Sequence, residues 1–162
     1  QAFLLAYSLF IAAFAGLLLF FHAREGWVPI LDSANLAFHE AGHPLFGLVS
    51  SRLMVYGGTF MQLLLPLTAA WQLRRQQQIG GYHLCLIWFA ENLLNVARYM
   101  ADARRQELPL VGGGDHDWTY ILNSWGLLSW DTTLAMWLRV LAVGLMVWVL
   151  WRDWRQVRPA ED

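Results

Sequence analysis

Apolar positions in this chain come in long blocks rather than in the three-and-four spacing of a soluble amphipathic helix. Residues 2–21 carry no charge at all, and residues 133–151 carry only Arg139. Each block is close to the 20 or so residues that a helix needs to cross the hydrocarbon core of a bilayer. Residues 33–50 and 79–100 have similar length but include polar groups. Arg24-Glu25-Gly26 and Pro29 end the first block, and Asp32 or Ser33 then stands where a helix N-cap is wanted. Pro44 removes one backbone donor inside that second helix and predicts a kink or a frayed turn. In "LMVYGGTFM", two short β-prone runs flank Gly57-Gly58, a pair that suits a two-residue hairpin turn or a helix break. Residues 62–73 are apolar but short, with Pro66 inside and Arg74-Arg75 after them, which reads as a re-entrant or half-span segment. The pattern predicts an all-α, polytopic transmembrane helical bundle in one domain, residues 1–162, with about four spans plus a re-entrant or short hairpin segment.

Composition agrees. Hydrophobic residues make up 57 % of the chain and charged residues 14 %, against about 25 % in soluble domains. Many of the ten tryptophans fall at or near the ends of the apolar blocks, as in the aromatic belts of membrane proteins. The first block lacks a basic leader and a small-residue cleavage site, so it reads as a span rather than a signal peptide. The expected location is an integral, multi-pass protein of a bacterial inner or other plasma membrane. A net charge of −1 leaves no footprint for nucleic acid. The single cysteine, Cys85, excludes a disulfide within the chain and a cysteine-cluster metal site.

Cytoplasmic loops carry the excess of positive charge. With four spans and the N-terminus inside, Arg52, Arg74, Arg75, Arg152, Arg155 and Arg158 face the cytoplasm, and Arg24, Arg104 and Arg105 face out. The start of the second span and the loop with Asp115-His116-Asp117 then share the outer side. A five-span alternative places His39 and His116 on opposite sides.

Within the second helix stands "FHEAGH", residues 38–43. Ionisable groups in a membrane helix are expensive and by default functional. His39 and His43, four residues apart, share one helical face and can hold a zinc ion together. Glu40 sits about 100° round from His39. From there it can act as the base toward a water that zinc has acidified. A catalytic zinc takes three protein ligands. "GGGDHDW" offers Asp115, His116 and Asp117 for the third: His116 as an imidazole ligand, with Asp115 or Asp117 orienting it or taking its place. Glu91 follows as a further candidate, on a stripe with Asn95, Arg98 and Asp102 that is expected to face the histidine helix, with Glu91 and Arg98 able to pair. His22 and His83 lie near span ends and read as interfacial or core histidines.

"FHEAGH" in a membrane helix, followed by the Gly-Gly break and an apolar segment, resembles the site-2 protease family of intramembrane zinc metallopeptidases over residues 33–73. The resemblance implies His39 and His43 as zinc ligands, Glu40 as catalytic base, an aspartate from a later span to complete the site, and a hairpin at "LMVYGGTFM" that pairs with an extended substrate. The expected function is therefore a zinc metallopeptidase acting in the membrane or at its surface. Its substrate is expected to be a membrane-embedded or membrane-adjacent polypeptide, because nothing in the sequence reads as a soluble recruiting module. The alternative is a non-catalytic metal-binding subunit or assembly factor of a larger membrane protein complex.

Overall fold

The computed structural model describes residues 2–111 and 114–157. Gly112, Gly113 and Arg158, which figure in the sequence pattern, lie outside the described residues. Every regular element among the described residues is helical: α1 (Ala2–Arg24), α2 (Leu31–Gly47), α3 (Ser51–Arg75), α4 (Ile79–Ala101), the short α5 (Asp117–Ser124) and α6 (Asp131–Val157), with one 3-10 turn at Leu128–Trp130. The expected all-α class is observed.

Side-chain pairings fix the directions. Tyr7 packs at Gly80 and His22 meets Glu91, so α1 runs parallel to α4. Asn35 reaches Glu91 and the His39 ring packs on Tyr99, so α2 also follows α4, starting part-way along it. Gln62 bonds Asn95 and Leu73 meets Gly81, so α3 runs the other way. α6 opposes α4 as well, with His83 joined to Asp153 at one end and Arg104 to Asp131 at the other.

α4 is the inner helix. Ile87, Ala90, Glu91, Asn92 and Ala97 are fully buried, packed among α1, α2, α3 and α6. The outer helices turn large apolar side chains outward, among them Phe10, Leu17, Trp71, Trp137 and Leu141.

Three helices are long and apolar enough to cross a membrane: Ala2–Arg24, Ser51–Arg75 and Leu128–Gln156. That is fewer than the four spans expected. α2, at 17 residues and ending at Gly47, is too short to qualify. α4 holds polar groups that it turns toward α1, α2 and α3, so its composition falls short of a lipid-facing helix.

The expected re-entrant or hairpin segment is corrected too. Residues 51–75 form one helix, opened by the Ser50 hydroxyl accepting the Arg52 N–H. Glycine weakens a helix by about 1 kcal/mol relative to alanine, and Gly57-Gly58 would favour a break if α3 stood alone. Packing supplies the reason they stay helical. A Cβ on Gly42 would lie 2.2 Å from the Gly57 carbonyl oxygen, and one on Gly57 would lie 2.5 Å from that of Gly42. The two backbones touch there, as small residues allow between membrane helices.

α2 likewise departs from its expected start. Its first residue is Leu31, preceded by Ile30 at φ 69°, and no side chain caps it. Asp32 lies inside the first turn and accepts the Val28 N–H at 2.6 Å. The helix continues through Pro44 to Gly47, and the missing proline N–H leaves the Glu40 carbonyl without its usual partner.

Gly42→Ala or Gly57→Ala is expected to destabilise the fold by about 3 kcal/mol, the upper part of the usual overpacking range. Gly144→Ala, with nothing within 4 Å of its new Cβ, is the unhindered control and should hold stability or raise it by up to about 1 kcal/mol. Thermal unfolding in detergent, followed by circular dichroism, measures the difference.

Candidate metal centre

The close α2–α3 contact decides what surrounds the two motif histidines. His39 and His43 point across the Gly42–Gly57 contact at α3. Gly58 leaves room for them, since a Cβ there would lie 2.6 Å from His39 Nε2 and 2.7 Å from His43 Nε2. One turn further along α3, Gln62 Oε1 stands 3.1 Å from His39 Nδ1, while the Gln62 amide donates to Asn95 Oδ1 at 2.9 Å. His43 Nδ1 lies 2.9 Å from the Met54 carbonyl oxygen.

These partners set the tautomers. A backbone carbonyl only accepts, so His43 carries its hydrogen on Nδ1 and donates it to Met54. Gln62, with its amide committed to Asn95, presents an acceptor to His39 in the same way. Each neutral ring is left with a lone pair on Nε2, and both Nε2 atoms face one oxygen. Asp117 Oδ2 lies 2.9 Å from His39 Nε2 and 3.4 Å from His43 Nε2.

With both imidazoles neutral these are three acceptors, which a cation between them would satisfy; a protonated imidazole would instead donate to Asp117. Ligand atoms on a tetrahedral zinc with bonds of about 2.0–2.1 Å are about 3.3 Å apart. Two imidazoles and a carboxylate are donor types that could hold a divalent metal ion. The second hydrogen bond from each histidine to a fixed carbonyl is the usual support of a metal-ligating imidazole.

Asp117 reaches this point as the first residue of α5. Its N–H donates to the Tyr99 hydroxyl at 3.1 Å, and the Thr119 hydroxyl bonds the Ala103 carbonyl, tying the start of α5 to the end of α4. Glu40 lies with the histidines, the ligand atoms of all three residues within 4.8 Å of one another, but it makes no ion pair among the described residues. Its carboxylate lines a cavity of about 870 Å³ beside the centre, walled by Trp27 and Leu36 on one side and by Leu110, Val111 and Tyr120 on the other. Pockets of this size hold ligands the size of a drug molecule or a short peptide.

His116 is near but turned away. Its Nδ1 accepts the Thr119 N–H at 3.3 Å as the N-cap of α5, and its Nε2 faces Asp102 at 3.5 Å. The ring stacks on Tyr99 at 4.1 Å. Burial pushes this imidazole below its ordinary pKa, against the opposite pull of Asp102 and Asp117. Asp115 is exposed beside the cavity.

Glu91 is not at this centre. It lies one turn along α4 from Asn95 and meets His22 rather than Arg98, at 3.0 Å. Asp102 turns back to accept the N–H groups of Glu107 and Leu108, both at 3.0 Å. Of the expected stripe, Asn95 joins the centre through Gln62, and Arg98 lines the cavity.

Gln62 and the Met54 carbonyl had not been expected here. Gln62 had left a signal, as the one polar side chain in an otherwise apolar stretch, one helical turn after Gly58. The Met54 carbonyl leaves none. No family model, curated protein or solved structure matches this chain.

Asp117→Ala is expected to remove zinc from this centre as fully as His43→Ala. His116→Ala should keep zinc and lower stability by about 1 kcal/mol, the usual worth of an N-cap. Gln62→Ala should weaken zinc binding about 10–100-fold through loss of its support for His39. Zinc titration against a competing chelator measures all three.

Proposed function

We propose that this chain is an integral membrane zinc metallopeptidase that cleaves membrane-embedded or membrane-adjacent polypeptides. The observation that carries the proposal is the convergence of His39 Nε2, His43 Nε2 and Asp117 Oδ2, with Glu40 beside them and a cavity at hand. Zinc bound there supplies Lewis acidity, acidifying water and polarising a carbonyl.

The chain's own residues do the rest. Glu40, without an ion pair among the described residues and lining the cavity, takes a proton from the attacking water and returns one to the leaving amine. Gln62 and Met54 hold the two imidazoles so that their Nε2 atoms stay directed at one point. The cavity, wide enough for a stretch of polypeptide, lets a peptide bond reach Glu40 and the histidines together. The resemblance of "FHEAGH" to the motif of site-2 proteases supports the same assignment of ligands and base.

The apolar outer faces of α1, α3 and α6 support a bilayer as the surrounding medium. The centre lies toward the end where α4 finishes and α6 begins. Arg52, expected on the cytoplasmic face opposite the centre, instead lines its cavity. Arg24, Arg52, Arg104 and Arg105 at that end now balance Arg74, Arg75, Arg152 and Arg155 at the other. The contact between His39 and Asp117 supports an arrangement with both on one side of the membrane over the five-span alternative.

Glu40→Gln is expected to keep zinc and to lower hydrolysis at least 10²-fold, the lower bound for removing a general base. The assay is cleavage of a transmembrane peptide library in detergent or liposomes, followed by mass spectrometry. Wild-type cleavage by Glu40→Gln overturns the mechanism. Zinc retention with no cleavage by the wild-type protein favours the metal-binding subunit of a larger complex.

A further inference from the structure

We infer that a second divalent metal ion binds this chain at His22, Asp32 and Glu91, about two helical turns along α2 from the first centre and independent of it. The ligand atoms of these residues, from α1, α2 and α4, all lie within 4.8 Å of one another. Asp32 and Glu91 are both fully buried, and His22 is nearly so, with 11 % of its side chain exposed. None of the three lines the cavity beside Glu40.

The cluster is held from behind. Asn35 donates to Glu91 Oε2 at 2.7 Å and to Asp32 Oδ1 at 3.4 Å. Its own carbonyl oxygen accepts the Trp88 indole N–H at 2.9 Å and the Asn92 amide at 3.2 Å. An indole N–H can only donate, so the orientation of the Asn35 amide is fixed, and with it the two carboxylates. Glu91 Oε1 is left facing His22 Nε2 at 3.0 Å.

The two carboxylates are in contact with each other. Among the described residues, neither forms an ion pair with an arginine. Two adjoining carboxylates shut away from water need positive charge between them. A shared proton would leave one negative charge for a protonated His22 to balance, whereas a divalent ion neutralises both carboxylates and keeps the imidazole as a neutral ligand. The imidazole adds a neutral nitrogen ligand, and an N, O, O donor set suits zinc.

Three protein ligands leave the fourth position to a water or to the second oxygen of a carboxylate, and burial keeps a substrate away from it, which points to a structural rather than a catalytic metal. Its place in the fold gives it work to do. His22 ends α1, Asp32 begins α2, and Glu91 stands in the buried middle of α4. An ion there would pin the start of the helix that carries His39, Glu40 and His43. On α2, Asp32 precedes His39 by seven residues, so the two centres lie about 10 Å apart along that helix.

The test uses the full chain in detergent, stripped of metal with a chelator and dialysed against zinc. Zinc per chain is then read by mass spectrometry, in variants that keep the wild-type helical dichroism. The expected values are two for the wild type, one for Asp117→Ala, one for His22→Ala or Glu91→Gln, and none for Asp117→Ala combined with Glu91→Gln. A single wild-type zinc that survives Asp117→Ala would keep this site and remove the first. Loss of all zinc in Asp117→Ala overturns the inference without recourse to any variant of the cluster. So does zinc content indifferent to both His22→Ala and Glu91→Gln. A shared proton is then what holds the two carboxylates together.

Discussion

The contact between Gly42 and Gly57 governs the arrangement of the candidate centre. Two helix backbones approach there until a single methyl group on either would collide with the other's carbonyl. Because α2 and α3 are antiparallel and this close, residues on either side of the contact fall into register. Gln62 comes to His39, the Met54 carbonyl comes to His43, and Gly58 leaves the space that both imidazoles fill. A wider separation would leave the two rings free to turn and their tautomers unset. The glycine pair costs helix stability locally, and the site it makes possible is the compensation.

A second constraint runs along α4. Polar groups in a bundle whose outer faces are apolar must find partners inside it, because an unpaired one costs about 1–3 kcal/mol. Glu91, Asn92, Asn95, Tyr99 and Asp102 follow one another up the inner helix, and each meets a partner from α1, α2, α3 or the α4–α5 connection. At the far end, buried His83 and Asp153 pair in the same way at 3.0 Å. Polarity in α4 thus marks the centre of the bundle and not its boundary with water. The same sorting makes α2 and α4 less apolar than a helix exposed to lipid.

The all-helical class was legible in the chain because unbroken apolar blocks near 20 residues have one economical backbone solution when their outer faces are apolar. His39, Glu40 and His43 were legible because a helix puts positions four apart on one face, whatever it packs against. That rule is local and needs no knowledge of neighbours. The choice of "GGGDHDW" as a ligand source was also within reach, since few other polar stretches were at hand.

What only the tertiary structure decided is everything that depends on which faces meet. Gly57-Gly58 is ambiguous by itself, since a glycine pair serves equally as a turn or as a place for close packing, and only the presence of α2 makes it the second. Between His116 and Asp117, one residue apart, the start of α5 decided: a helix N-terminus turns successive side chains about 100° apart, sending His116 back to cap the helix and Asp117 across to the histidines. Glu91 and His22 are 69 residues apart and meet only because α1 runs beside α4. Local periodicity fixes which residues share a face. The partner that each face finds is a property of packing, and no single stretch of sequence contains it.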